Sequence, residues 1–116
     1  MRKLKKGRKF SRKKDARKAL LRSLVESLFI HQKIKTTLAK AKEAQMLAEK
    51  LITKAKKNDL SAIRELRRYF DKDLVKKITK EIAVQYKDRK GGYTRIIKLE
   101  PRTRDASQMA ILELIK

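Results

Sequence analysis

The sequence predicts one α+β domain, in which about four helices pack on a small, mixed, three-stranded β-sheet, preceded by an extended basic N-terminal arm. Apolar residues recur at helical spacing from the arm to residue 87. Gly91 and Gly92 then stand side by side, and the β-branched and aromatic residues after them are typical of a strand. A length of 116 residues suits one domain with one modest core.

Residues 1–14 form the predicted arm, and residues 15–116 form the predicted domain. The arm has no acidic residue, and only Leu4 and Phe10 are large and apolar, so it cannot bury enough surface to fold alone. We expect it to become ordered on a polyanion; the alternatives are a solubilising tail or a stretch resembling a nuclear-localisation signal. Its cations are Arg2, Lys3, Lys5, Lys6, Arg8, Lys9, Arg12, Lys13 and Lys14.

In the first half of the domain, the sequence predicts a helix, a strand and a second helix. The first helix begins at Ser11 or Asp15, either of which can cap it, and runs to about Ile30. The alternation at residues 33–37 predicts a short edge strand with its lysines outward. Thr37 is the predicted N-cap of the second helix, which covers residues 38–57. This helix has the strongest helical periodicity in the chain. Its predicted inward face is Ala44, Leu47, Ala48, Leu51, Ile52 and Ala55.

In the second half of the domain, the sequence predicts two more helices and two strands. Asn58 and Asp59 break the second helix and cap a third, and a second break at residues 71–73 precedes a fourth helix that ends near Lys87. Strands are predicted at residues 93–100 and 109–115, and we expect them to pair as a hairpin, with the nearly apolar last strand buried on both faces. We expect the first two helices to cover one face of the sheet.

The charge balance indicates the kind of partner. The chain has 35 Lys and Arg against 13 Asp and Glu, a net charge of +22. Because such a surface repels itself until a polyanion neutralises it, nucleic acid is the first expected partner and an anionic membrane the second. No apolar run approaches the ~20 residues that span a bilayer. The basic N-terminus also lacks the apolar core of a secretory signal, so we expect a cytoplasmic protein.

No catalytic constellation is visible in the sequence. The absence of cysteine excludes disulfides, thiol chemistry and Cys-based zinc sites. His31 is the only histidine, and we interpret it as a structural residue or one that stacks on a base. The acidic residues are scattered, and no Gly-rich nucleotide loop appears. We therefore expect no enzymatic activity, cofactor, metal or small-molecule substrate.

The glycine pair is a candidate phosphate site. Arg89, Lys90, Arg95 and Lys98 surround it, and free glycine N–H groups together with arginine forks suit a phosphate oxygen. The alternative, which the residues favour equally, is a helix C-cap followed by a strand with solvated charges. Of the few aromatic residues, only Tyr93 is a candidate for stacking on a base. Recognition of the backbone and shape of a folded RNA is therefore favoured, with a histone-like DNA binder as the alternative.

The motif Arg-x-Gly-Gly-Tyr-Thr-Arg-Ile at residues 89–96, followed by Lys98, Arg102, Asp105 and Met-Ala-x-x-Glu-Leu at residues 109–114, resembles the C-terminal motif of the bacterial ribosomal protein L-seventeen family. The likeness extends over nearly the whole chain, through residues 1–8, 28–37, 40–43 and 49–53. The middle, residues 58–87, matches loosely. Residues 102–105 read Arg-Thr-Arg-Asp where the family usually has Arg-x-Gly-Asp.

The resemblance implies a protein of the large ribosomal subunit that binds the large rRNA near the exit of the nascent-peptide tunnel, with ribosomal proteins as neighbours. Its arm would thread between rRNA segments. A non-ribosomal, nucleoid-type DNA-binding protein and a membrane-active cationic protein are the alternatives from other classes. The second would need a helix with a large apolar face free of any core partner. Because the apolar helical faces are needed to cover the sheet, we expect no membrane partner. Besides the nine arm cations, the predicted rRNA contacts are Arg17, Lys18, His31, Lys33, Lys35, Thr36, Thr37, Lys40, Lys42, Arg89, Lys90, Gly91, Gly92, Tyr93, Arg95, Lys98, Arg102 and Arg104.

Overall fold

A computed structural model describes residues 14–115. The predicted rRNA contacts at residues 1–13 therefore lie outside the described residues. The helical segments are α1 (Lys14–His31), α2 (Leu38–Lys57), α3 (Leu60–Leu66), α4 (Lys72–Lys77), a π-helical turn (Ile78–Ile82) and α5 (Ala83–Gln85). The strands are β1 (Lys33–Thr37), β2 (Thr94–Lys98) and β3 (Met109–Leu114). The predicted α+β class is confirmed. The predicted number of four helices is also confirmed, because α4, the π-helical turn and α5 follow one another without a break and together form the fourth helix.

Side-chain caps fix the helix boundaries where the sequence predicts them. The Thr37 Oγ1 accepts a hydrogen bond from the Lys40 N–H at 3.4 Å, so Thr37 caps α2. Asn58 ends α2 in the left-handed region, with a φ of 49°. Asp59 and Asp71 cap the next two helices through N–H donors 2.8 Å and 2.9 Å from their carboxylates. The predicted limits of α2 are confirmed because both signals are local.

The sheet has the strand order β1–β3–β2, and both neighbouring pairs are antiparallel. The pairing of β2 with β3 is confirmed, and β1 joins as the predicted edge strand with Lys33 and Lys35 exposed. The prediction of a mixed sheet is wrong. Because β1 and β2 lie on opposite sides of β3, the two strands that run in the same direction never become neighbours.

Helices cover only one face of the sheet, and α2 contacts all three strands. The covered face of β3 carries the buried side chains of Ala110, Leu112 and Leu114. On the opposite face Ile111 and Glu113 are only half-buried, so the expectation that β3 is buried on both faces is wrong for most of the strand. No described helix covers that second face, and the sheet therefore has an open side.

The core lies between α2, the sheet and the C-terminal half of α1. The inward face of α2 is rich in alanine, and small side chains let the helix approach its neighbours closely. Val25, Leu28 and Phe29 are the buried residues of α1, and the Phe29 ring meets the Phe70 ring edge-on, with centroids 5.7 Å apart. Leu47, predicted to face the core, is only half-buried, because it points toward a groove between α1 and α2. The buried residues of α2 are Ala41, Ala44, Ala48, Leu51, Ile52 and Ala55.

Candidate nucleic-acid interface

The uncovered side of the sheet, which we call the open sheet face, carries two cross-strand rows of side chains. Residues that stand opposite each other in neighbouring strands point to the same face. One row is Lys33, Glu113 and Arg95, and the next row is Lys35, Ile111 and Ile97. The alternation of each strand thus places three cations and two isoleucines on one surface.

The charges of the open sheet face are only partly neutralised. The Arg95 Nε donates to the Glu113 Oε1 at 2.6 Å, which holds the guanidinium over the central strand. Lys33 and Lys35 are exposed and have no salt bridge within residues 14–115. Ile97 is 42% exposed and lies in the same row as Lys35, on the other side of Ile111. The face therefore combines free ammonium groups on β1, Ile111 and the Glu113 carboxylate on β3, and an anchored guanidinium beside Ile97 on β2.

A loop beyond the end of β2 extends this face. The Arg102 guanidinium reaches the Met109 Sδ at 3.2 Å and lies 3.6 Å from the Asp105 carboxylate. The Ser107 N–H donates to Asp105 at 3.1 Å and, together with Arg102, keeps the pKa of that carboxyl below its usual range. Ala106 is the left-handed residue of the loop, with a φ of 60°, whereas Arg104 is not. The turn therefore does not need a glycine at position 104.

The glycine pair forms a turn at the opposite end of β2. Gly92 has a φ of 63°, which favours glycine, and the Arg89 Nη1 donates to the Gly92 carbonyl at 3.2 Å. Apart from the chain neighbours of each glycine, no described atom lies within 4 Å of where a Cβ would stand at Gly91 or Gly92, so no other backbone approaches the turn closely. Both glycines are exposed. Arg89 is thus partly engaged in closing the turn, and phosphate binding by the turn stays a prediction.

A line of polar side chains on α2 holds the segment that follows this turn. We call it the α2 seam, and it consists of Gln45, Glu49, Thr53 and Lys56, which spacings of four, four and three residues place on one side of the helix. The Glu49 carboxylate accepts the Thr94 N–H at 3.1 Å and the Thr94 hydroxyl at 2.8 Å. Gln45 donates to the Thr94 carbonyl at 3.5 Å. The seam therefore fixes the first residue of β2 and, through it, the position of Arg95.

The Tyr93 side chain belongs to the core rather than to the surface. It is 1% exposed, its ring lies 5.2 Å from that of Tyr86, and its hydroxyl accepts bonds from Lys56 Nζ at 3.0 Å and Thr53 Oγ1 at 3.4 Å. Burial acts to raise the pKa of Tyr93, but these two donors and the Lys56 charge outweigh it, and the pKa is lowered. The predicted stacking of Tyr93 on a base is therefore wrong, because no free ring face remains.

The C-terminal end of β3 is fixed by hydrogen bonds at the end of the sheet where the glycine turn lies. The Ile115 N–H donates to the Tyr93 carbonyl at 2.9 Å, and the Leu114 N–H donates to the Gln32 carbonyl at 3.0 Å. The Tyr86 hydroxyl donates to the Ile115 carbonyl, and burial raises the pKa of Tyr86. These bonds gather His31, Lys33, Arg95 and the glycine turn around one end of β3.

The remaining predicted contacts are spread over the domain. Lys14, Arg17 and Lys18 lie at the end of α1 away from β1, so the structure does not bring them to the open sheet face. Thr37 is engaged as the cap of α2. The half-buried ones are Arg17, Thr36, Thr37 and Lys40. The exposed ones are Lys14, Lys18, His31, Lys42, Lys90, Lys98, Arg102 and Arg104.

Other kinds of site find no support in the part of the chain that the structure describes. Residues 14–115 contain no group of three or more His, Cys, Asp or Glu side chains placed to hold a metal ion. Over the same residues, no helix has the length and apolar character that crossing a bilayer requires.

We expect Glu49→Ala to lower the free energy of unfolding by about 1–3 kcal/mol, because the buried Thr94 N–H and hydroxyl lose their acceptor. Denaturant titration followed by circular dichroism measures this change. Glu81→Ala is the matched control, since the Glu81 side chain is exposed and has no hydrogen bond or ion pair within residues 14–115, and it should leave the midpoint nearly unchanged. Equal effects of the two substitutions would show that the α2 seam does not stabilise β2.

The fold and the open sheet face define a small, strongly basic α+β protein that displays cations on an uncovered sheet. The family model described as "Ribosomal protein L17" matches residues 20–115 of the chain. The chain belongs to the ribosomal protein L17 family.

Relatives share about half of their residues with this chain. The "Large ribosomal subunit protein bL17" of Finegoldia magna is 55% identical over 109 residues, covering 93% of this chain and 83% of that protein. The protein of the same name from Halothermothrix orenii is 50% identical and covers 94% of this chain and 96% of its own length. That of Pelobacter propionicus is 49% identical and covers 100% and 92% respectively. The resemblance noted from the motifs is thereby confirmed.

Proposed function

We propose that this chain binds the large rRNA through its open sheet face and its basic N-terminal arm. As a member of the ribosomal protein L17 family, it is a structural constituent of the large ribosomal subunit, acting in translation in the cytoplasm, and the family is not enzymatic. The observation that carries the RNA proposal is the set of Lys33, Lys35 and Arg95 on one uncovered sheet face, opposite the face that builds the core.

The chemistry of this face suits the backbone of a folded RNA. Ammonium groups and an anchored guanidinium bind phosphate oxygens, and each phosphate contact releases counterions. The exposed Ile97 can pack against a ribose, which has an apolar edge. With Tyr93 buried, the open sheet face has no aromatic side chain on which a base could stack. We therefore infer recognition of RNA shape and phosphates rather than base sequence.

The double substitution Lys33→Ala, Lys35→Ala tests the RNA proposal. We expect the slope of log K against log salt for the large rRNA to become shallower by roughly 1.4 to 1.8, at about 0.7 to 0.9 per lost contact. Filter binding of the purified chain over a range of salt concentrations measures the slope. The matched control is Lys76→Ala, Lys80→Ala, which removes the same charge from exposed positions in the fourth helix.

Two outcomes would contradict the RNA proposal. An equal loss in the Lys76, Lys80 control would mean that net charge alone binds RNA and that the open sheet face has no special role. Equally tight binding of duplex DNA at the same salt concentration would favour the nucleoid-type alternative.

We further propose that the chain lies near the exit of the nascent-peptide tunnel, beside other large-subunit proteins. The family resemblance alone supports this location. Stalled nascent chains with a photoreactive residue just outside the tunnel should crosslink to this chain within assembled ribosomes. If they crosslink to other exit proteins and never to this chain, the proposed location is wrong while the RNA proposal stands.

A further inference from the structure

A groove of about 700 Å³ runs between α1 and α2 and ends against the segment that follows α3. We call it the α1–α2 groove. It lies on the helical layer, so it is separate from the open sheet face. Side chains of α1 and α2 line it, together with Arg68 and Tyr69.

The floor of the α1–α2 groove is apolar, and its outer side is not covered within residues 14–115, although Leu47 and Tyr69 also pack against the core. Met46 is 65% exposed there, whereas Leu51 and Ile52 of the same helix are buried. Leu47, Leu21 and Tyr69 are half-buried around it. Unbranched methionine adapts its shape to different partners and is common on protein-binding surfaces. Binding to an apolar floor is favourable mainly when the partner has apolar side chains that displace water from it.

The rim of the groove is cationic. It carries Lys18, Arg22, Lys50 and Arg68, against the acids Asp15 and Glu43. None of the four cations has a salt bridge within residues 14–115, whereas nearby Lys54 is paired with Glu65 at 2.6 Å. The hydrogen bond and charge of Lys54, with further help from Arg68 and Lys50, keep the pKa of Glu65 below its usual range. The rim therefore has positive charge available for an acidic partner.

We propose that the α1–α2 groove docks a segment of another protein that carries acidic side chains around apolar anchors, in the manner of an amphipathic helix laid into a groove. RNA presents phosphates that suit the rim, but the edge of a ribose offers less apolar surface to the floor than an aliphatic or aromatic side chain does. The chain's own residues 1–13 contain eight cations and no acid, so their charge does not complement the cations of the rim. A second copy of the chain, with its net charge of +22, is disfavoured for the same reason.

The test uses photocrosslinking in assembled large subunits. The full chain carries p-benzoylphenylalanine in place of Met46, and subunits that contain it are purified and irradiated. We expect a crosslink to another protein, on a peptide in which acidic residues flank apolar ones. The control carries the same group in place of Val84, which is 62% exposed and lies outside the groove, and it should not reach that peptide.

Charge reversal shows whether the rim holds the partner. Arg22→Glu with Lys50→Glu should lower the yield of the Met46 crosslink per incorporated chain by about tenfold, because acids would then face acids. Two single substitutions on α2, Lys50→Glu and Lys57→Glu, form a matched pair. Lys57→Glu should leave the crosslink yield little changed, since Lys57 does not line the groove.

Each contrary outcome overturns the proposal. A crosslink to rRNA would assign the groove to RNA, and a crosslink within the chain would assign it to the N-terminal residues. No crosslink, or one that charge reversal does not change, would mean that the groove holds no acidic partner. Incorporation into subunits is measured separately, so failure of the groove proposal does not affect the proposed RNA binding.

Discussion

Leu51→Asp is expected to abolish cooperative folding of the domain. Leu51 is 3% exposed and lies in the main apolar cluster between α2 and its neighbours. An unpaired carboxylate in that position costs several kcal/mol, which is comparable with a total stability of ~5–15 kcal/mol. Thermal melting followed by circular dichroism should show no transition, or a midpoint far below that of the parent chain.

Met46→Asp is the matched control for this prediction, because it places the same charge on an exposed position of the same helix. Its melting midpoint should stay close to that of the parent chain. Leu47→Asp should fall between the two, because Leu47 is only half-buried. An unchanged melting curve for Leu51→Asp would show that this face of α2 is not the core.

Removing residues 1–13 is expected to leave the fold intact and to weaken rRNA binding on the order of a hundredfold or more at moderate salt. The deletion removes eight cations and only two large apolar residues, Leu4 and Phe10. Its effect should therefore fall on binding rather than on stability. Melting curves and filter binding with the large rRNA measure the two quantities independently.

A full-length chain in which the eight cations are replaced by glutamine separates charge from length. It should bind as weakly as the truncated chain. Full affinity of the truncated chain would shift the main phosphate contacts to Lys33, Lys35, Arg89 and Arg95. Failure of the truncated chain to fold would instead show that Leu4 and Phe10 anchor the arm to the body, and that the boundary predicted at residue 14 is wrong.

The features that the sequence predicted correctly depend on neighbouring residues. The cap at Thr37, the break at Asn58 and the alternation of Lys33 with Lys35 each involve a few consecutive positions. The alternation alone was enough to place two of the three cations of the open sheet face. Local signals of this kind act before any tertiary contact forms, so they can be recognised without the fold.

The features that the sequence did not reveal depend on distant contacts. Tyr93 looked available because its partners, Thr53 and Lys56, lie 40 and 37 residues away in the chain. The bond between Glu49 and Thr94 spans 45 residues, and it fixes the residue that begins β2. The even spacing of Gln45, Glu49 and Thr53 was a visible signal, but nothing in the sequence indicated which segment the seam would hold. The π-helical turn at Ile78–Ile82 left no recognisable pattern either.

The strand order also bears on the tendency of unassembled chains to aggregate. β1 and β2 are both edge strands of only five residues, and within residues 14–115 no further strand pairs with the outer edge of either. Such edges invite pairing with another copy and growth into aggregates. Lys33 and Lys35 on one edge, and Arg95 and Lys98 on the other, bring like charges together whenever two copies approach edge to edge. The residues proposed to meet RNA would thus also keep unassembled chains apart.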